Sequence, residues 1–98
     1  MTHQVVFPGA LFPLGRLAAT PGAIDALQRA NQHAFEFVAR HARGDWSELD
    51  EHDTRENQFS LEHGFRVVSN YKTRAGEVLW IITEADRSVT TLLLPDEY

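Results

Sequence analysis

The sequence contains no cysteine and only one methionine. Without a thiol there is no disulfide framework, no thiolate metal site and no cysteine nucleophile. Basic charge is also scarce, with nine Lys and Arg against fourteen Asp and Glu and a net charge of −5. Capture of DNA by counterion release needs a basic stripe, so broad electrostatic binding of nucleic acid is not expected. There is no long apolar run. The opening MTHQVVFPGALFPLGRLAAT is apolar in patches, carries no basic leader and is interrupted by prolines, so neither a secretion signal nor a membrane span is read there, and a cytoplasmic protein is expected. A Gly-rich phosphate loop and a Ser nucleophile elbow are missing as well, and no cofactor is implied.

What is present suits one α+β domain over residues 1–98, with 1–13 as an extended arm or edge strand. A chain of 98 residues should bury roughly two thirds of the surface that its unfolded form exposes. Thr20 followed by Pro21 is a helix start, because the hydroxyl can cap and proline lacks the N–H that would go unpaired. The first helix is predicted over about Pro21 to Arg29, with Asn31 as the next cap. Ala34, Phe37, Val38, His41 and Ala42 then share one helical face, and Gly44 ends that helix. A third helix is expected from near Asp50 to His63, its early acids suited to the positive end of the helix dipole. Its apolar face is thin: Leu61 with Asn57 a turn earlier, and Phe59 to one side.

After Gly64 the period changes to two. Phe65, Val67, Ser69 and Tyr71 alternate with Arg66, Val68, Asn70 and Lys72, and EVLWIITE and SVTTLLLP follow as strands. The links TRAG and ADRS are too short for a crossover helix, so these three strands should form an antiparallel meander. LGRLAA and QVVF are the candidates for a fourth, edge strand. The expected architecture is two-layer: N-terminal helices packed on a C-terminal antiparallel sheet of three or four strands.

Charge is unevenly placed. Residues 45–64 hold one Lys/Arg against seven Asp/Glu, residues 1–44 four against two, and residues 65–98 four against five. An acidic central helix beside an exposed Phe59 points to a docking surface for a basic protein partner, carried by Glu48, Asp50, Asp53, Glu56 and Phe59. The acids of this segment do not match a His-Glu-x-x-His or calcium-loop spacing, and a solvated face is preferred to a metal site. Were the chain an enzyme, His41 would be the proton-transfer group. Arg66, Tyr71 and Arg87 would then serve a phosphate, since arginine offers a fixed fork of donors. RNA is the substrate that this alternative implies; a second copy of the chain is another candidate partner, and a membrane is not. The plain reading of HARGDW is a helix stop followed by an aromatic anchor, Trp46. Asn57, on an apolar stripe, should tie its helix to the loop at Asp45 or to the sheet.

Four stretches carry a resemblance: FPLGRLAATPGA, RHARGDW, the series from Asn57 through Leu61, Gly64, Arg66 and Ser69 to Tyr71, and WIITEADRSVTTLLLPDEY. From about Phe12 onward the chain resembles a family of small bacterial proteins encoded on plasmids and integrative elements. The resemblance implies mobile-element cargo and leaves the molecular activity open. That family commonly reads GDWG where this chain has Ser47. A weaker likeness in architecture is to barnase- and RelE-type ribonucleases, which also set helices before an antiparallel sheet; fold analogy does not transfer activity.

Overall fold

A computed structural model describes residues 8–46 and 51–98. Strand β1 (Arg16–Ala19) is followed by helices α1 (Pro21–Ala30), α2 (Ala34–Ala42) and α3 (Glu51–His63). Strands β2 (Val67–Lys72), β3 (Val78–Thr83) and β4 (Val89–Leu93) follow, and a 3-10 turn at Pro95–Glu97 ends the chain. The sheet order is β1-β4-β3-β2. β2, β3 and β4 form the expected antiparallel meander. β1, from the LGRLAA stretch, is the fourth strand and runs parallel to β4, so the sheet is mixed. The three helices supply the long crossover that a parallel pair requires. QVVF, the other edge candidate, lies outside the described residues.

Gly15 makes the β1 contact sterically feasible. Its φ is +65°, and a Cβ there would collide with the Ser88 carbonyl group, while the next residue, Arg16, donates its N–H to that same oxygen at 3.0 Å. Only a residue without a side chain brings the backbone so close in that conformation.

Alternation gives the sheet two different faces. Val67, Ser69, Tyr71, Leu79, Ile81, Thr83, Thr90 and Leu92 share the inner one and are all buried. Ala23 and Leu27 of α1 and Phe37, Val38 and Ala42 of α2 close over that face, in one cluster with Phe12, Leu14 and Trp46. The outer face carries Val68, Asn70, Trp80, Ile82 and Leu93. Ile82 and Leu93 are buried, and Trp80 meets Tyr98 edge-on at 5.8 Å. No helix among the described residues is long and apolar enough to cross a membrane.

The helix ends differ from expectation at one place. Asn31 closes α1 in the left-handed conformation (φ 51°) instead of opening α2. His33 opens α2, its Nδ1 accepting the Phe35 N–H at 3.1 Å. Asn tolerates left-handed backbone, which a helix C-terminus needs more than a second N-cap. At α1 the Thr20 hydroxyl accepts from Ala23 N–H as expected, and Glu97 from the chain end adds its carboxylate to Thr20 Oγ1 and Gly22 N–H. Those bonds, led by the one from Thr20, hold the Glu97 carboxyl below its ordinary range.

α3 is attached unlike the other two. Only Asn57 is buried on it, and Leu61 packs on the core in part. The Asn57 amide donates to Val68 C=O at 2.7 Å and accepts from Val68 N–H at 3.1 Å, occupying the place of a neighbouring strand on the outer edge of β2. Of the two ties that the sequence left open for Asn57, the sheet is the one formed.

Candidate functional site

Two constellations deserve comparison, one in the core and one on the surface. In the core, His41 has no solvent exposure. Its Nδ1 lies 2.5 Å from Ser69 Oγ and its Nε2 2.9 Å from Thr83 Oγ1. Thr83 Oγ1 lies 2.7 Å from Thr90 Oγ1, and the Thr90 hydroxyl donates to Leu14 C=O at 2.7 Å.

Proton counting fixes the direction of the whole chain, because each hydroxyl has one hydrogen to give. Thr90 spends its hydrogen on the Leu14 carbonyl, so Thr83 donates to Thr90. Thr83 must then accept, which places the imidazole hydrogen on Nε2. Nδ1 is left as acceptor for Ser69 O–H. The network is complete with neutral His41; a second ring proton, on Nδ1, would turn Ser69 from donor to acceptor and put a charge into the core. Burial, with the nearby positive charge of Arg87 as the lesser cause, pushes the His41 pKa down to about 3.

This arrangement disposes of the expected chemistry at His41. A general base must reach the proton it abstracts, and here both ring nitrogens are engaged inside a closed core. Nor do the four residues assigned to an enzyme converge on one cleft. The Tyr71 ring is buried, its hydroxyl donates to Asp45 C=O, and the Arg40 guanidinium sits 4.6 Å above it. Arg66 instead extends to Tyr98, donating to its hydroxyl at 2.6 Å with the guanidinium 5.7 Å from the ring centre. Arg87, at φ 60° in the β3–β4 turn, bonds Phe65 C=O at 2.7 Å and Glu84 C=O at 3.1 Å.

HARGDW serves as the helix stop that its residues suggest. Gly44 takes φ +76°, Arg40 pairs with Asp45 at 2.9 Å, and the buried Trp46 donates its indole N–H to His41 C=O at 3.2 Å. His41 is set in the interior and not at a pocket rim.

On the surface, a groove of about 980 Å³ runs between α3 and the outer face of the sheet. Phe59 and Phe65 stand at it, each 53% exposed, their rings nearly parallel (12°) with centres 5.9 Å apart. His63 also stacks on Phe59, at 4.0 Å. Trp80 and Asn70 belong to its sheet wall, and Asp53, Glu56 and Glu84 bring carboxylates to it. Glu56 pairs with His52 at 3.1 Å in an exposed i,i+4 contact, of the kind that contributes little to stability. His52, Asp53 and Glu56 can bring one donor atom each within 4.8 Å of one another, as exposed acidic groups commonly do without an ion.

Of the residues expected at a partner surface, Asp53, Glu56 and Phe59 come together at this groove. Glu48 and Asp50 lie outside the described residues. Phe65 and Trp80 are additions. Phe65 opens the alternating run in the sequence, but β2 starts at Val67, and the Phe65 ring stacks on Phe59. Ser69 with Thr83 and Thr90, the last two ordinary β-formers by residue type, are buried polar residues of the inner face. Their signal was available: all three fall at inward positions of the alternation, facing the only polar member of the α2 stripe.

No family model matches the chain, and no curated protein or solved structure matches it either.

Proposed function

We propose that the protein is a binding module that docks on a basic partner protein through α3 and the groove beside it. One observation carries this reading: two phenylalanines, each more than half exposed, lie with nearly parallel rings at a groove that α3 lines with Asp53 and Glu56 beside His52 and Arg55. Large apolar rings clustered in water and rimmed by charge are the usual composition of a protein contact. Segment 45–64, with seven acids against one base, supplies a field that attracts a basic partner and repels a phosphate backbone.

The RNA-cleaving alternative loses its proton-transfer group to the core, and a net charge of −5 disfavours a phosphate backbone. Combined with the resemblance to mobile-element proteins, the reading is of a cytoplasmic docking protein, with an inhibitor of a host enzyme as the class that fits.

Selection of peptides from a random displayed library against the full chain tests this. Enriched sequences should be rich in Lys or Arg beside apolar residues, and should lose binding to a chain carrying Asp53→Lys with Glu56→Lys and to one carrying Phe59→Ser. Peptides without basic residues, or binding that survives both variants, would refute it.

A further inference from the structure

We infer that the free edge of β1 is a pairing site for a second copy of the chain: two β1 strands meet antiparallel across a two-fold axis at Ala18 and join the two sheets into one. This edge lies at the opposite end of the sheet from β2 and α3, and the inference stands independently of the docking reading.

The two edges of the sheet are finished differently. At β2 the Asn57 amide fills the place of a neighbouring strand at Val68, whereas among the described residues nothing does so at β1. Arg16 and Thr20 turn their N–H groups to the carbonyls of Ser88 and Leu92. Strand alternation therefore directs the N–H and C=O of Leu17 and Ala19 away from the sheet, where they meet no partner among the described residues. Arg16, Ala18 and Ala19 are exposed, and Leu17 to Ala19 hold no charge, proline or bulge, the usual guards of an edge.

The ends of the strand set the register. Gly15 is left-handed at φ +65° and Pro21 opens α1, while Thr20 is still extended at φ −72° and ψ 159°. The extended stretch is thus 16–20, with Ala18 at its centre. Antiparallel pairing about Ala18 puts Leu17 opposite Ala19 of the other copy, so that every outward N–H and C=O of those two residues finds its complement. Charge selects the same direction. Residues 17–28 and 88–98 contain no Lys or Arg but hold Asp25, Asp96 and Glu97, and Glu97 is bonded to the uncharged donors of Thr20 and Gly22. The other end is balanced, with Arg16 and Arg87 against Glu84 and Asp86, and Arg16 makes no ion pair among the described residues. Antiparallel addition places Arg16 opposite Thr20 of the other copy, beside the carboxylate of that copy's Glu97; parallel addition would bring the two acidic ends together.

Cross-linking reads the register directly, because the chain has no cysteine of its own. Across an antiparallel pair whose facing residues are not hydrogen-bonded, the Cα atoms stand about 4.5 Å apart, within the span of a disulfide. Ala18→Cys should therefore form a disulfide-linked dimer in oxidised glutathione well ahead of Ala19→Cys, which would face Leu17 of the other copy, and of Gln58→Cys on α3. Sedimentation equilibrium of the full chain, in a concentration series reaching the millimolar range, should show a reversible dimer. Arg16→Glu, at an exposed position, should weaken it about tenfold by turning two attractive cross-strand pairs into repulsive ones. Ala19→Pro, which removes an outward N–H and leaves the bonds to β4 in place, should abolish it. Asp53→Lys with Glu56→Lys, on the other side of the molecule, should leave association unchanged while ending peptide binding, which separates this inference from the docking reading. A chain that stays monomeric throughout the series, Ala18→Cys cross-linking no faster than Gln58→Cys, or a dimer indifferent to Arg16→Glu would overturn it.

Discussion

His41 and Phe59 are both rings carried on helices beside the same sheet, yet they live under opposite physics. His41 faces inward, has no exposure, and has both nitrogens satisfied by hydroxyls that themselves end on a backbone carbonyl. Phe59 is half exposed at a groove, its ring stacked with those of His63 and Phe65. A polar group in a low-dielectric core must be fully paired, and once paired it specifies one arrangement and one protonation state. An apolar group left in water gains nothing in the isolated chain and becomes an advantage only when something covers it. The histidine, which would carry proton transfer were the chain an enzyme, is bonded into the core, and the phenylalanine, read in the sequence as part of a docking surface, stands exposed at the groove.

The strongest way to break the contrast is His41→Ala. It opens a cavity, strands the Ser69 hydroxyl and removes the donor to Thr83, so unfolding in urea should show a loss of about 4 kcal/mol. Survival with less than about 1 kcal/mol lost would mean that the network is not formed as described.

Acid should act on the same residue without a mutation. In the unfolded chain His41 titrates at its ordinary 6.5, whereas in the folded chain its pKa is lowered to about 3. Between those values the unfolded form binds a proton that the folded form refuses. The stabilisation is therefore complete above pH 6.5 and declines as pH falls toward 3. From pH 7 to pH 5, where carboxylates remain largely ionised, the expected loss is about 2 kcal/mol. A His41→Gln chain that still folds should lack this component. Equal acid sensitivity in both chains would assign the effect to other groups.

Asn57 lies between the two extremes, since it belongs to the acidic helix but is buried and bonded to the sheet edge. Asn57→Ala should cost about 1–2 kcal/mol by releasing two backbone partners, and hydrogen exchange at the Val68 amide should rise together with that of α3. Unchanged protection at Val68 would show that the helix is held by something else. At the small end, Phe59→Ser should leave the unfolding midpoint nearly unmoved, within about 0.5 kcal/mol, while removing peptide binding. A large loss of stability there would turn Phe59 into a core residue and remove the surface side of the comparison.

Much of the frame was legible from local pattern. The α2 stripe of Phe37, Val38, His41 and Ala42 is buried as its spacing requires, the third helix stops at His63 before Gly64, and the short links at Gly76 and Arg87 force the meander. The parallel pairing of β1 was not legible. It depends on the close passage of Gly15 by Ser88, two residues far apart in sequence, and no periodicity encodes that approach. The groove was half legible: its acids and Phe59 stand out, but its sheet wall comes from Trp80, whose face is known only once the register is fixed.

Sequence alone determined the elements, the faces they bury and the sign of the charge on the central segment, because propensity, periodicity and net charge are properties of neighbours along the chain. Tertiary structure alone decided that His41 is locked as a neutral ring by hydroxyls from two strands, and that Phe59, Phe65 and Trp80 surround one groove beside carboxylates. Those facts depend on distances between segments, and such distances exist only after the sheet has chosen its partners and the helices have closed over one of its sides.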